Sequence, residues 1–139
     1  MIASTLTGNL SSAMSNPTDL WRVLIVEDEP LIAMLVQEWL EELNCQTIGP
    51  ASSVSEALDL IDGIQIDGAI LDVSLGKEES FPIADELKKR SVPFAFATGY
   101  GIDSLQPRFS DAVMLAKPFE YKLFCDVVTK MLEGDRAAR

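Results

Sequence analysis

Four short apolar runs, each closed by a polar side chain, constrain the fold of this chain more than any other feature. The runs and the residues that close them are 23–26 with Glu27 and Asp28, 69–71 with Asp72, 94–97 with Thr98, and 113–116 with Lys117. Continuous apolar runs of this length are typical of parallel strands that are buried on both faces of a sheet. Because the carboxyl ends of such strands lie together at the ligand-binding edge of an open α/β sheet, the pattern predicts one acidic pocket that also contains a hydroxyl and an amine.

Helical patterns lie between these runs and predict an alternation of strands and helices. The predicted strands are 22–26, 46–50, 68–72, 93–98 and 112–116, and the predicted helices are 30–43, 53–61, 82–90 and 120–132. Ser53, with Glu56 three residues later, has the spacing of a helix-capping box. Right-handed crossovers between parallel strands then give an α/β three-layer sandwich, with a five-stranded parallel sheet and helices on both faces.

The segment 101–110, where a crossover helix should lie between the fourth and fifth strands, has a weak helical pattern. It contains Gly101 and Pro107 and has few apolar residues, and glycine and proline both disfavour a helix interior. We therefore expect a short, irregular or mobile element there.

The length of 139 residues suits one domain. We predict that it spans 20–133, after a flexible N-terminal tail at 1–19 and before a short C-terminal tail at 134–139. Residues 1–19 lack the basic and apolar stretches of a signal peptide, and no apolar run approaches the length of a membrane span. We therefore expect a cytoplasmic location and no membrane association.

Charge and composition exclude several function classes. The formal net charge of -11 disfavours nucleic acids and anionic membranes as partners, because phosphate-rich surfaces require a basic patch. The absence of histidine from the sequence rules out Ser/His and Cys/His catalysis and histidine-ligated zinc. An acidic balance of this kind suits a protein that gathers carboxylates around a cation.

Three carboxylates in one pocket repel one another, so the predicted site requires a divalent cation or raised pKa values. Mg²⁺ is the natural choice, since it prefers hard oxygen ligands and retains several waters. We expect Asp28 and Asp72 to bind it directly, and Glu27 to bind it directly or through water. The backbone carbonyl of Ser74 would complete the protein ligands.

The same pocket is suited to phosphoryl chemistry. The carboxylate of Asp72 can act as a nucleophile and form an acyl phosphate, while a metal ion neutralises the phosphoryl oxygens. Lys117 would bring a positive charge to those oxygens, and Thr98 would donate its hydroxyl to one of them. Each residue alone has an ordinary structural explanation, so the prediction rests on their joint placement at four strand ends.

The order and spacing of these residues resemble the receiver domain of two-component response regulators. The matching segments are 26–29 (VEDE), 71–75 (LDVSL), 97–99 (ATG) and 117–119 (KPF). The resemblance covers residues 21–132 and implies a flavodoxin- and CheY-like fold with strand order 2-1-3-4-5. It also implies that the peptide bond before Pro118 is cis.

The resemblance assigns a role to each residue of the predicted pocket. It implies that Asp72 is the phosphoacceptor and lies with Glu27 and Asp28 in a Mg²⁺ site. It implies that Thr98 and Lys117 sense the phosphoryl group.

The chain departs from the common receiver pattern in its fifth strand. Many receivers carry Tyr or Phe three residues before the lysine, where this chain has Met114, so a switch that rotates that ring is not expected here. The run 93–101 (PFAFATGYG) resembles the subgroup known as FATGUY receivers, which also lacks the aromatic residue. We hypothesise that the signal is carried by ordering of the segment that follows. The predicted switch region is Thr98, Gly99, Tyr100, Gly101 and Met114.

The first predicted helix, 30–43, has more apolar residues than one core-facing stripe requires. Either the excess residues lie in the core or they form an interaction face, and the sequence leaves both explanations open. In receiver domains this helix docks beside the kinase helix that carries the phosphorylated histidine. Pro30, Leu31 and Met34 lie closest to the predicted pocket and are therefore the candidate kinase contacts.

By this resemblance the chain is a single-domain response regulator, a monomer or weak homodimer. It would accept a phosphoryl group from a sensor histidine kinase or phosphotransfer protein, and act on a downstream protein or as a phosphate sink or relay. It would not be an enzyme beyond Mg²⁺-dependent self-phosphorylation and autodephosphorylation of Asp72. Two alternatives stay open: a pseudo-receiver that binds partners without phosphorylation, and a haloacid-dehalogenase-like phosphatase. Such phosphatases usually carry a second Asp where this chain has Ser74.

Overall fold

A parallel sheet forms the centre of the computed structural model, which describes residues 20–138. Its strands are β1 (Trp21–Val26), β2 (Cys45–Ala51), β3 (Gly68–Asp72), β6 (Phe94–Thr98) and β7 (Val113–Ala116), while β4 (Ser74–Leu75) and β5 (Glu78–Glu79) form a separate antiparallel ribbon. The sheet order is β2-β1-β3-β6-β7, and all neighbouring pairs are parallel. The predicted fold class is thus confirmed. The predicted strand order 2-1-3-4-5 is also confirmed, since β6 and β7 are the fourth and fifth strands of the sheet.

Within residues 20–138, four α-helices cover the two faces of the sheet. They are α1 (Pro30–Glu42), α2 (Val54–Gly63), α3 (Phe81–Lys89) and α4 (Tyr121–Ala138). Buried residues of α2 and α3, such as Ile61 and Leu87, pack in one core cluster, and buried residues of α1 and α4, such as Leu40 and Phe124, pack in the other. Because β3 is buried along its whole length, its sequence is a continuous apolar run rather than an alternating one.

The segment between β6 and β7 contains two short 3₁₀ turns, Ile102–Ser104 and Pro107–Phe109. The expected short, irregular element is therefore confirmed. The side chain of Phe109 is buried and stacks on Phe81, with ring centroids 5.6 Å apart. Together with the partly buried Leu105, this aromatic ring attaches a mostly polar segment to the core.

The predicted N-cap of α2 is present, but the reciprocal half of the capping box is shifted. The Ser53 hydroxyl accepts a hydrogen bond from the backbone N–H of Glu56, at 3.2 Å. The Glu56 carboxylate accepts from the backbone N–H of Ser52, at 2.9 Å, rather than from that of Ser53. Both bonds satisfy donors at the start of the helix.

The C-terminal end of the chain differs from the prediction. Helix α4 continues to Ala138 rather than ending near 132, so the predicted end of this helix is wrong and residues 134–138 are helical. No proline follows to stop the helix, and Ala137 and Ala138 favour it. The tail predicted at 1–19 lies outside the described residues. Between residues 20 and 138, no helix has both the length and the apolar character needed to cross a membrane.

Candidate functional site

The register of the sheet brings the four strand ends to one edge. Val26 pairs with Leu71 and Asp72 pairs with Ala97, so Glu27 lies just beyond β1 where β3 ends in Asp72. Thr98 at the end of β6 pairs with the last residue of β7, directly before Lys117. An open cavity of about 530 Å³ lies at this edge. Its lining includes Asp28, Asp72, Ser74, Thr98, Gly99, Tyr100 and Lys117.

The carboxylates of Glu27, Asp28 and Asp72 form one cluster, as the sequence predicted. Each contributes an oxygen, and these oxygens all lie within 4.8 Å of one another. Glu27 and Asp72 are buried, while Asp28 faces solvent. Hard oxygen donors with one side open to water match the preference of Mg²⁺, which retains waters in its octahedral shell, so the residues present fit this ion.

Lys117 lies inside the cluster and neutralises part of its charge. Its Nζ is 3.0 Å from Glu27 Oε1 and 3.1 Å from Asp72 Oδ2. Burial works to lower the pKa of this ammonium group, but the hydrogen bonds and charges of the two carboxylates outweigh burial and raise the pKa above its ordinary value. Lys117 therefore stays charged and is held against the carboxylate oxygens of Glu27 and Asp72.

Ionisation of the Glu27 carboxyl costs free energy in the absence of a cation. Burial is the main reason that the pKa of its carboxyl rises to about 7, and the neighbouring Asp72 adds to the rise. The backbone N–H of Glu29 donates to Glu27 Oε2 at 3.1 Å and Lys117 donates to Oε1, and both oppose the rise. A divalent cation would remove the repulsion that remains.

The ribbon β4–β5 frames one side of the site and was not predicted from the sequence. The backbone N–H of Ser74 donates to Asp72 Oδ1 at 3.3 Å, which fixes the orientation of this carboxylate. Gly76 has a φ of +71°, and a Cβ at that position would lie 3.8 Å from Asp28 Oδ2. Gly76, a residue suited to a tight turn, was the available sequence signal, but two-residue strands are too short to show a period.

Of the five predicted switch residues, Thr98, Gly99 and Tyr100 line the cavity, whereas Gly101 and Met114 do not. The buried Thr98 hydroxyl accepts a hydrogen bond from the backbone N–H of Tyr100 at 3.0 Å. The side chain of Tyr100 is 85% exposed, and nothing lies within 4 Å of the positions where Gly99 and Gly101 would carry a Cβ. Met114 is half-buried on β7. The Lys117–Pro118 peptide bond is cis, as the resemblance implied.

The excess apolar residues of α1 lie outside the core. Its buried residues are Ala33, Val36 and Leu40, whereas Leu31 is 79% exposed and Met34 is 56% exposed. Burial in the core therefore does not explain Leu31 and Met34, and the other explanation, an interaction face, stays open for them. Pro30 is also exposed, so the three predicted kinase contacts are accessible beside the pocket.

Comparison with known proteins gives the same family throughout. Residues 23–129 match the family described as "Response regulator receiver domain". The transcriptional regulatory protein PdtaR of Mycobacterium tuberculosis is 35% identical over 102 residues, which are 70% of this chain and 50% of PdtaR. The phyllosphere-induced regulator PhyR of Methylorubrum extorquens is 35% identical over 121 residues, which are 84% of this chain and 45% of PhyR. The chain thus spans about half the length of the curated relatives it matches.

Solved structures agree in fold and, for one protein, in sequence. The solution structure of SdrG from Sphingomonas melonis Fr1 is 45% identical, covers 84% of this chain and 96% of SdrG, and has a TM-score of 0.70. A CheY-like receiver domain from Methanospirillum hungatei, 21% identical, covers 87% of this chain and all of that one, with a TM-score of 0.77, and shows the fold alone. Together with the acidic cluster, Thr98 and Lys117 at one sheet edge, these matches show that the chain belongs to the response regulator receiver domain family of two-component signalling.

Proposed function

We propose that this domain accepts a phosphoryl group on Asp72 from the phosphorylated histidine of a sensor kinase or phosphotransfer protein, and that the phosphorylated form acts by binding another protein. One observation carries the proposal: three carboxylates, a half-buried ammonium group and a buried hydroxyl meet at one edge of the sheet. This set of groups is what Mg²⁺-assisted transfer to a carboxylate requires.

The proposed transfer uses the groups in defined roles. A carboxylate oxygen of Asp72 attacks phosphorus while the P–N bond to the donor imidazole breaks, and the imidazole leaves with the bonding electron pair. Lys117 Nζ, 3.1 Å from Asp72 Oδ2, neutralises charge on the transferred oxygens. Thr98 donates its hydroxyl to one of these oxygens. Attack by water on phosphorus later restores the free carboxylate and releases inorganic phosphate.

Mg²⁺ is the cofactor that this donor set favours. We propose that Asp28 and Asp72 bind it directly, that Glu27 binds directly or through water, and that the Ser74 carbonyl adds a further ligand. When bound, Mg²⁺ supplies positive charge to the phosphoryl oxygens. Binding of the ion to the folded chain alone should raise the melting temperature, and Asp28→Asn should reduce that rise.

Intact-protein mass after incubation with acetyl phosphate and Mg²⁺ tests phosphorylation directly. One added phosphoryl group is expected in the wild type, and none in Asp72→Asn or in the presence of a chelator. Asp111→Asn, which changes an exposed acid before β7, is the matched control and should behave as the wild type does. If neither acetyl phosphate nor a phosphorylated donor protein modifies the wild type, the domain is a pseudo-receiver and the proposal is wrong.

The exposed part of α1 is the proposed contact for the phosphodonor protein. Pro30, Leu31 and Met34 present apolar surface next to the pocket, and a partner that covers them brings its phosphohistidine to Asp72. Met34→Glu should slow transfer from the donor protein but leave phosphorylation by acetyl phosphate unchanged. Val113→Glu, at a residue 47% exposed on the edge strand β7, is the control. Equal transfer rates in the two variants would contradict this contact.

A further inference from the structure

The Thr98 hydroxyl is engaged by two groups of the segment that follows it. The backbone N–H of Tyr100 donates to Thr98 Oγ1 at 3.0 Å, and Ser104 Oγ lies 3.2 Å from the same oxygen. Ser104 Oγ also lies 2.6 Å from the backbone carbonyl oxygen of Gly101. Ser104 therefore connects the end of β6 with the first 3₁₀ turn.

The number of hydroxyl protons decides the direction of each bond. A carbonyl oxygen can only accept, and each hydroxyl has one proton. The short contact with Gly101 therefore uses the Ser104 proton, and the contact between the two hydroxyls requires Thr98 to donate to Ser104 Oγ. Since Tyr100 N–H occupies a lone pair of Thr98 Oγ1, the only proton that Thr98 can donate is directed to Ser104.

We propose that Ser104 is a positioning residue, which holds the Thr98 proton in the unphosphorylated protein and competes for it with the phosphoryl group on Asp72. This inference rests on the proposed phosphorylation of Asp72. When the phosphoryl group takes the proton, Ser104 loses its link to the end of β6. The first 3₁₀ turn then keeps its backbone bonds but is free to move relative to the sheet.

The competition has a definite direction. A hydrogen bond from Thr98 to a charged phosphoryl oxygen is stronger than one to a neutral hydroxyl, so the phosphorylated state wins the proton. Because the bond from Thr98 to Ser104 has to break, the net gain in free energy is smaller than the contribution of the new bond alone. Without the serine hydroxyl, the phosphoryl group should bind about fivefold more tightly, the equivalent of one neutral hydrogen bond.

The variant Ser104→Ala isolates this effect because the turn retains its backbone support. The backbone N–H of Ser104 also donates to the Gly101 carbonyl, at 3.1 Å, so that carbonyl keeps a partner when the hydroxyl is removed. Ser110→Ala is the matched control, since Ser110 is an exposed serine of the same segment. Thr98→Val removes the hydroxyl for which Ser104 competes and keeps the shape of the side chain.

Titration with beryllofluoride and Mg²⁺, followed by the amide NMR signal of Tyr100, is the test. Beryllofluoride mimics a phosphoryl group on a carboxylate. We expect the half-saturating concentration to fall about fivefold in Ser104→Ala and to stay unchanged in Ser110→Ala. In the Thr98→Val background, adding Ser104→Ala should change nothing, whereas a merely structural role of Ser104 would have the same effect in both backgrounds.

Each result has one consequence. A wild type that responds to beryllofluoride, with the same half-saturation in Ser104→Ala, would overturn the role of Ser104 and leave the proposed function intact. An equal effect of Ser104→Ala with and without the Thr98 hydroxyl would do the same. A wild type that binds no beryllofluoride and takes up no phosphoryl group would overturn the proposed function, and this inference with it.

Discussion

Replacing Phe109 with Ala should destabilise the chain strongly, because this ring holds the segment 99–110 on the core. The side chain is only 3% exposed. Its centroid lies 5.6 Å from that of Phe81 in a stacked arrangement and 5.4 Å from that of Phe96 in an edge arrangement. The guanidinium carbon of Arg108 lies over the same ring, 4.7 Å from the centroid.

The expected loss follows from this burial. Truncation of a buried Phe to Ala costs about 3–5 kcal/mol, from lost apolar burial and the cavity that remains. The contacts with Phe81 and Phe96 cross from the segment to α3 and β6, and local collapse of the segment cannot replace them. For a domain of this size the loss corresponds to a fall of roughly 10–20 °C in melting temperature.

Urea unfolding followed by far-ultraviolet circular dichroism measures the effect. Tyr100→Ala is the matched control, because Tyr100 is an aromatic residue of the same segment that is exposed, and its change should stay within about 0.5 kcal/mol. Phe109→Ala should move the urea midpoint without changing the slope of the transition. A loss below about 1 kcal/mol, or one equal to that of Tyr100→Ala, would show that the ring does not anchor the segment.

Two further predictions concern the acidic pocket and the path of β2. The pKa of Glu27 is raised to about 7 from an ordinary 4.5. Between pH 4.5 and 7 the folded chain therefore binds more protons than the unfolded chain. The stability of the metal-free protein should then fall as pH rises through this range. In Glu27→Gln, the melting temperature measured with a chelator should fall less over this pH range than in the wild type. An unaltered pH profile would contradict the raised pKa of Glu27. Gly49→Ala should cost more than about 2 kcal/mol, because φ is +95° and the added Cβ would lie 2.9 Å from the Ile25 carbonyl oxygen. Gly63→Ala, where nothing lies within 4 Å, is its control in thermal unfolding, and equal losses would refute the steric argument.

The sheet and the acidic cluster could be predicted because both depend on a local pattern. Strands buried on both faces must be apolar throughout, so each run ends where the chain reaches the edge of the sheet. The first polar residues there, such as Asp72 and Lys117, then have to meet at that edge. The 3.1 Å contact between these two side chains connects residues 45 positions apart. It crosses the end of β6, which lies between β3 and β7 in the sheet, and it is possible because all three parallel strands end at the same edge.

The features that the sequence did not predict depend on the tertiary path of loops. Phe109 is one of only three large apolar residues in its segment, with Ile102 and Leu105, and Pro107 interrupts their helical spacing. The sequence therefore does not predict that its ring is buried, because the burial is decided by the rings that it meets across the core. The ribbon β4–β5 is too short to alternate, although it orients the Asp72 carboxylate through the Ser74 N–H. The contact between Ser104 and Thr98 depends on how the chain turns at Gly101, where φ is +77°.

The segment that joins Thr98 to Phe109 is fixed at both ends, and its later part is also held by Leu105, which packs against the core, and by the ion pair between Arg108 and Asp85. Thr98 is the last residue of a buried strand, and Phe109 is held among aromatic rings of the core. Between them lie two glycines with open space at the Cβ position and two turns of three residues each. We therefore expect residues 99–104 to absorb a change at the Thr98 hydroxyl, because neither end of the segment can move without disrupting close packing. For the proposed phosphorylation of Asp72, we therefore expect the response in the loop that carries the exposed Tyr100, with no need for a rotating ring at Met114.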